Sequence, residues 1–80
     1  MILKIIIDTI ADLTGIDKST LTSDTVLADI GVDELTTVQL FIAIEEEFDI
    51  EIPDSEEIKV GTIQDAVALV EKYSGVKDLV

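Results

Sequence analysis

Hydroxyl and carboxyl side chains are the groups in this sequence that could take part in chemistry. The chain contains no cysteine and no histidine, which excludes thiol nucleophiles, imidazole bases, disulfides and zinc sites built on these ligands. Segments in which acidic and hydroxyl residues lie together include 33–37 (Asp-Glu-Leu-Thr-Thr) and 54–56 (Asp-Ser-Glu). Neither segment pairs a nucleophile with a base, so the sequence predicts that the protein is not an enzyme.

Acidic residues dominate the charge of the chain. Eighteen aspartates and glutamates oppose five lysines, and the formal net charge at pH 7 is −13. Nucleic acid and anionic membrane surfaces should repel such a chain, whereas basic protein surfaces or, weakly, divalent cations should be attracted. The alternative is that the acidic charge only promotes solubility. A dedicated calcium or magnesium site is the weakest interpretation, because no D-x-[DN]-x-[DN]-G loop is present, and no metal ligand is predicted.

The acids are concentrated in one part of the chain that contains no basic residue. Mutual repulsion within this cluster should destabilise the compact state, which favours a role in binding a basic partner. The ten members lie between positions 33 and 57: Asp33, Glu34, Glu45, Glu46, Glu47, Asp49, Glu51, Asp54, Glu56 and Glu57.

The spacing of apolar residues predicts an all-α protein, and its first two helices are the longest. Residues 2–14 carry an apolar stripe at helical spacing, and Gly15 should end this helix. Residues 34–48 form the second helix, for which Asp33 is a suitable N-cap residue. The stripe of the first helix consists of Leu3, Ile6, Ile7, Ile10 and Leu13.

Two further helices are predicted after Pro53. A short helix from Ser55 to about Lys59 should be capped by Asp54. The last helix should begin at Thr62, with Asp65 completing its cap, and continue to about residue 73. The chain is therefore expected to fold as one four-helix bundle over residues 1–80, with a tail that frays from about residue 75.

A long connection over residues 16–32 separates the first two helices. Its apolar side chains should hold it against the core, and ordered connections of this length are often functional. They are Ile16, Leu21, Val26, Leu27 and Ile30. The apolar start of the chain, MILKIII, is too short to span a membrane and lacks the layout of a signal peptide, so a cytoplasmic, monomeric protein is expected.

The second helix has two apolar sides. At about 100° per residue, Leu40, Phe41, Ile44 and Phe48 share one side, which should face the core. Leu35, Val38 and Ile42 share the nearly opposite side. In a bundle of this size that second side should be exposed, and an exposed apolar strip bordered by acids suits a basic docking partner. The alternative is that both sides are buried between helices.

Two motifs lie at the start and at the end of this helix, Gly-Val-Asp-Glu-Leu at residues 31–35 and EEEFDIEIP at residues 45–53. They resemble the G-x-D-S-L motif and the end of the second helix in the acyl carrier protein family. The resemblance extends from the first helix to Tyr73. It implies a four-helix bundle of acyl-carrier-protein type with a long loop after the first helix and a short third helix.

The resemblance also implies a function in lipid metabolism such as fatty acid biosynthesis. The family docks on basic surfaces of synthases and acyl-transfer enzymes through its second helix, and it holds acyl chains among its helices. Carried over by position, the docking residues here would be Asp33, Leu35, Val38, Ile42, Glu45 and Glu46.

Position 34 departs from the family pattern. Family members attach 4′-phosphopantetheine to the serine of D-S-L, and the residue here is Glu34, whose carboxylate cannot form that phosphodiester. Thr36, Thr37 and Ser55 have hydroxyl groups but lie elsewhere on the helices. No cofactor is therefore expected as the sequence is written, whereas Glu34→Ser should accept the arm. Thr36 and Gln39 also stand where the family often has acids, which would weaken some partnerships.

Two functions remain open from the sequence. The chain is either a carrier-family protein that has lost its attachment serine, or an interaction or regulatory protein that uses the same acidic face without carrying anything.

Overall fold

The computed structural model describes residues 2–75 and confirms the all-α prediction. Within this range the helices are α1 (Ile2–Thr14), α2 (Glu34–Phe48), α3 (Asp54–Glu57) and α4 (Ile63–Ser74). α1 packs against both α2 and α4, and α3 closes one side against α2. The fraying that the sequence predicts concerns residues that lie outside the described range. No helix in the described part of the chain is long and apolar enough to cross a membrane.

The predicted ends of α1 and α4 follow from local backbone chemistry. Gly15 adopts φ +75°, and its amide donates to the carbonyl of Ala11 at 2.8 Å, as expected for a residue that ends a helix. The hydroxyl of Thr62 accepts from the Asp65 amide at 3.2 Å, while the Asp65 carboxylate accepts from the Thr62 amide at 3.0 Å. These reciprocal bonds form the capping box that the sequence predicts.

The prediction for the start of α3 is wrong. Asp54 is its first helical residue and not its cap, because Pro53 takes the capping position with φ −61° and ψ 141°. No side chain caps this helix, and the Pro53 carbonyl instead accepts from the amides of Glu56 and Glu57. Ser55 is exposed, and its hydroxyl does not cap the helix either.

The connection between α1 and α2 is ordered by backbone pairing with the start of α4. Two short 3₁₀ turns, Lys18–Thr20 and Leu27–Ile30, lie within it. The Leu27 amide donates to the carbonyl of Gly61 at 2.9 Å, and the Ile63 amide donates to the carbonyl of Thr25 at 3.1 Å. Leu21 and Leu27 are buried as predicted. Val26 is exposed instead, because its backbone forms the bridge to Thr62 while its side chain lies outside the core.

The core is built from one side of each long helix. Among the described residues, the largest fully buried side chains are Ile6, Ile10, Leu40, Phe41, Ile44, Ile63 and Val70. Several apolar residues predicted for the core lie at its edge. Leu3 and Ile7 of α1 and Phe48 in the last turn of α2 are only partly buried against the cluster, and Leu13, near the end of α1, is exposed.

Candidate functional site

The start of α2 is fixed by Asp33. Its Oδ1 atom accepts from the Thr36 amide at 2.8 Å, which satisfies a free donor of the first helical turn. This hydrogen bond holds the pKa of Asp33 below its usual value. Gly31, with φ +82°, turns the chain into this position. Glu34 follows as the first helical residue, and its side chain is exposed.

The hydroxyl groups near Glu34 do not occupy the place that a hydroxyl on residue 34 itself would occupy. Thr37 Oγ1 donates to the Asp33 carbonyl at 2.8 Å and is committed to the helix backbone. Thr36 lies half-buried, on a different side of the helix. Ser55 is exposed but belongs to α3.

Three apolar side chains of α2 face solvent and form what we call the exposed strip, Leu35, Val38 and Ile42. They are 67%, 45% and 50% exposed, whereas Leu40 and Phe41 on the other side of the helix are fully buried. The prediction that this side is exposed is confirmed, and the alternative of a helix buried on both sides is wrong. The strip covers roughly 60° of the helix circumference.

Carboxylates border the exposed strip, but some of them already accept hydrogen bonds from the backbone. At about 100° per residue, Glu34 and Glu45 lie on one edge of the strip and Glu46 on the other. Glu45 Oε2 accepts from the Ile52 amide at 2.8 Å, so this carboxylate holds the turn that follows α2. Glu46 is exposed and forms no such bond. Asp33, in turn, is committed to the helix cap.

A cavity of about 450 Å³ lies between α2 and α3, beside the exposed strip. Its wall combines acidic and apolar side chains with one threonine: Glu34, Thr37, Val38, Asp54, Glu57, Ile58 and Val60. Val38, a member of the exposed strip, and Glu34, on the edge of the strip, therefore also line the cavity. Among residues 2–75, no group of three acidic side chains is arranged to hold a metal ion.

Glu57 and Ile58 are site residues that the sequence analysis missed. Glu57 is only 9% exposed although it is an acid, and burial, with the nearby charges of Asp54 and Glu45, raises its pKa. Ile58 is 80% exposed although it is apolar. An isoleucine directly after a polar four-residue helix was the available signal, but such a short helix has no periodicity that tells its inner from its outer side.

The neighbouring acid, Glu56, has a different environment. Its Oε2 atom accepts from Lys72 Nζ at 2.8 Å and from the Tyr73 hydroxyl at 3.4 Å, and Lys59 Nζ lies 3.9 Å from Oε1. The Lys72 hydrogen bond and charge lower the pKa of Glu56. These contacts join α3 to α4.

Comparison with known proteins agrees with this architecture. Residues 1–78 match the family described as the C-terminal ACP domain of the highly reducing polyketide synthase sdgA. An acyl carrier protein of Akkermansia muciniphila is 43% identical over 67 residues, which span 82% of this chain and 84% of that protein. The helical fold, the acidic second helix and these matches together lead to one conclusion: the chain belongs to the acyl carrier protein family.

Proposed function

We propose that this domain docks on acyl-handling enzymes through α2 and does not itself catalyse a reaction. The observation that carries the proposal is the exposed strip, because apolar side chains are costly to leave in water and carboxylates border them on both edges. A partner surface with an apolar centre and lysine or arginine around it would complement this face. The matched family is described as a domain of a polyketide synthase, so synthases are the first partners to test.

We further propose that the domain is not loaded with phosphopantetheine. The residues present do not fit that group, because the side chain at position 34 is a carboxylate and offers no hydroxyl oxygen for a phosphodiester. Its negative charge would also repel a phosphate-bearing donor. The hydroxyl of Thr37 is already bonded to the backbone, and Thr36 is half-buried.

A regulatory or interaction protein is the second candidate. Glu34 is the observation that favours it, because a domain that keeps the docking face and lacks the attachment hydroxyl could occupy a partner without delivering an acyl group. The two candidates share the docking step and differ in whether a serine at position 34 would restore a working carrier.

Intact mass measurement after incubation with a phosphopantetheinyl transferase and coenzyme A tests the loading proposal. The protein as written should keep its mass, and Glu34→Ser should gain one phosphopantetheine increment. Glu34→Ala is the matched control, because it removes the carboxylate without adding a hydroxyl. Modification of the unchanged protein would contradict the proposal. A Glu34→Ser variant that several transferases leave unmodified would favour the regulatory candidate.

Binding to a basic synthase surface tests the docking proposal. Glu46→Lys should weaken binding mainly by slowing association, because it reverses a charge at the edge of the strip. Asp12→Lys is the matched control, since it makes the same charge change at an exposed position of α1. Glu45 is a poorer choice, because its replacement also breaks the hydrogen bond to Ile52. Equal weakening by the two lysine variants would contradict docking through α2.

A further inference from the structure

The turn that follows α2 closes around a single acid, Glu45. Its backbone carbonyl oxygen accepts hydrogen bonds from the amides of Asp49 and, at 3.1 Å, of Ile50. Its side-chain Oε2 atom accepts from the amide of Ile52 at 2.8 Å. Three amides of segment 49–52 therefore donate to this one residue, which is half-buried, whereas its neighbour Glu46 is exposed.

The local sequence does little else to stabilise this end of α2. Residues 45–47 are all acidic, and the last turn of the helix contains no basic residue. Carboxylates near a helix C-terminus interact unfavourably with the helix dipole. Asp49, which ends the helix, has φ 54° and ψ 51°, a left-handed conformation that is less favourable for aspartate than for glycine. The bonds to Glu45 therefore oppose two local sources of instability.

The Ile52 bond connects this turn to the core. The Ile52 side chain is 5% exposed and belongs to the core cluster. In such surroundings, an amide that loses its acceptor costs more free energy than the same amide would in water. Through this bond the Glu45 carboxylate ties the last turn of α2 to a residue that the core already holds in place. The orientation of Glu46, the exposed acid of the same turn, is fixed as a result.

We propose that Glu45 is a positioning residue of the docking face and that Glu46, not Glu45, meets the cation of the partner. The inference rests on the docking function proposed above and differs from the family resemblance, which assigns both acids to docking. Glu45 fixes the turn after α2, and this keeps the last helical turn formed while Glu46 contacts a lysine or arginine. A preorganised carboxylate binds more tightly, because less conformational entropy is lost when the partner arrives.

Substitution by glutamine and by aspartate separates the two roles at each position. Glu45→Gln retains a side-chain oxygen that can accept from the Ile52 amide and loses the charge. Glu45→Asp retains the charge, but its side chain is one carbon shorter and should not reach that amide. The same pair at the neighbouring position, Glu46→Gln and Glu46→Asp, is the matched control, because the exposed Glu46 side chain does not hold this turn.

We expect the two positions to rank their variants in opposite order. Binding is measured with a synthase whose association is slowed by Glu46→Lys. Glu45→Asp should weaken binding about fivefold, as the loss of one hydrogen bond would, and Glu45→Gln should bind within about twofold of the unchanged protein. Glu46→Gln should weaken binding through the loss of charge, and Glu46→Asp should retain most of the affinity.

Amide hydrogen exchange of Ile52 reports on the bond itself, independently of any partner. The Ile52 amide should exchange slowly in the unchanged protein and in Glu45→Gln. It should exchange faster in Glu45→Asp and in Glu45→Ala, which has no side-chain acceptor. Circular dichroism checks that every variant is folded. If Glu45→Asp still protects the amide, the binding comparison uses Glu45→Ala in its place.

Four results would overturn the inference. Weaker binding of Glu45→Gln than of Glu45→Asp, with the Ile52 amide protected in the glutamine variant, would make Glu45 a direct docking charge. Faster Ile52 exchange in Glu45→Asp and Glu45→Ala without any change in binding would leave Glu45 a purely structural role. Equal Ile52 exchange in all variants would show that the bond does not order the turn. Failure of Glu46→Lys to slow association with any synthase would remove the docking proposal, and this inference with it, whatever the Ile52 exchange shows.

Discussion

At the scale of single residues, two adjacent acids of α3 experience opposite environments. Glu56 meets Lys72 and Lys59, and the Lys72 hydrogen bond lowers its pKa. Glu57, one residue later, turns away from these lysines into the cavity, where burial raises its pKa. One step along a helix turns a side chain by about 100°, which is enough to move it from an ion pair with α4 to the wall of the cavity.

The stability of the protein should therefore depend on the ionisation of Glu57. Because its folded pKa lies above the unfolded value, the folded state binds this proton more tightly than the unfolded chain does. The stabilisation is fully present below the unfolded pKa of about 4.3 and is lost as the pH rises through the folded pKa. Glu57→Gln, which cannot ionise, should thus be more stable than the unchanged protein near neutral pH. Below about pH 4 this advantage should disappear.

Urea unfolding of both proteins across this pH range measures the effect. The acids with lowered pKa, such as Asp33 and Asp65, act in the opposite sense, but they are present in both proteins and cancel in the difference. Glu47→Gln controls for the change in net charge. A Glu57→Gln advantage that stays constant with pH would contradict a raised pKa for Glu57.

At the scale of elements, α2 presents two different apolar surfaces. Its inner side is fully covered by α1 and α4, and its outer side carries the exposed strip. The inner surface supports stability and the outer surface remains available to a partner. Phe48 in the last turn has an intermediate exposure, since it packs against the core cluster and is still partly exposed.

Alanine substitutions along α2 should reduce the stability of the protein in proportion to the burial of the side chain that they remove. Phe41→Ala removes a fully buried ring and should reduce the free energy of unfolding by about 3–5 kcal/mol. Phe48→Ala should cost less, about 2 kcal/mol, because part of its ring already contacts water. Leu35→Ala, in the exposed strip, should change stability by no more than about 0.5 kcal/mol. Denaturant unfolding measures all three, and an equal cost for Phe41 and Phe48 would contradict the partial burial of Phe48.

The capping box of α4 should contribute to stability independently of the core. Thr62→Ala removes the acceptor for the Asp65 amide and should lower the free energy of unfolding by about 1 kcal/mol. Thr62→Ser retains the hydroxyl and should recover most of the loss. The effect should be visible in denaturant unfolding, and identical stabilities of the alanine and serine variants would show that the hydroxyl does not cap the helix.

At the scale of the whole molecule, acidic charge is far in excess of basic charge. The net charge is −13, and the lysines of residues 2–75 pair with only Asp8 and Glu56. The excess of acidic over basic residues means that most acids have like charges around them, and this repulsion destabilises the compact state. The same field should draw a basic partner towards the protein and speed its association.

Added salt should therefore raise the melting temperature. Sodium chloride screens the repulsion between acids, and magnesium or calcium should do so more strongly at equal low concentration, because divalent ions contribute more to the ionic strength. Differential scanning calorimetry in matched sodium and magnesium solutions measures both effects. A melting temperature that does not respond to either salt would mean that the acids are too far apart to interact appreciably in the folded state.

Much of this architecture was determined by the sequence alone, because its signals are local. The apolar spacing of α1 and α2, the glycine after α1 and the Thr62-Asp65 cap each act within a few residues, and all four predictions agree with the structure. The two-sided pattern of α2 was also readable, because helical periodicity fixes the direction of each side chain on its own helix.

Tertiary structure alone decided which of these side chains another element covers. Phe48, Leu13 and Val26 carry apolar side chains at positions where the neighbouring elements leave them partly or largely exposed. The bond from Glu45 to the Ile52 amide joins residues seven positions apart across a turn, which no helical spacing predicts. The burial of Glu57 arises in the same way, because it depends on how α3 packs beside α2 and not on the four residues of α3 themselves.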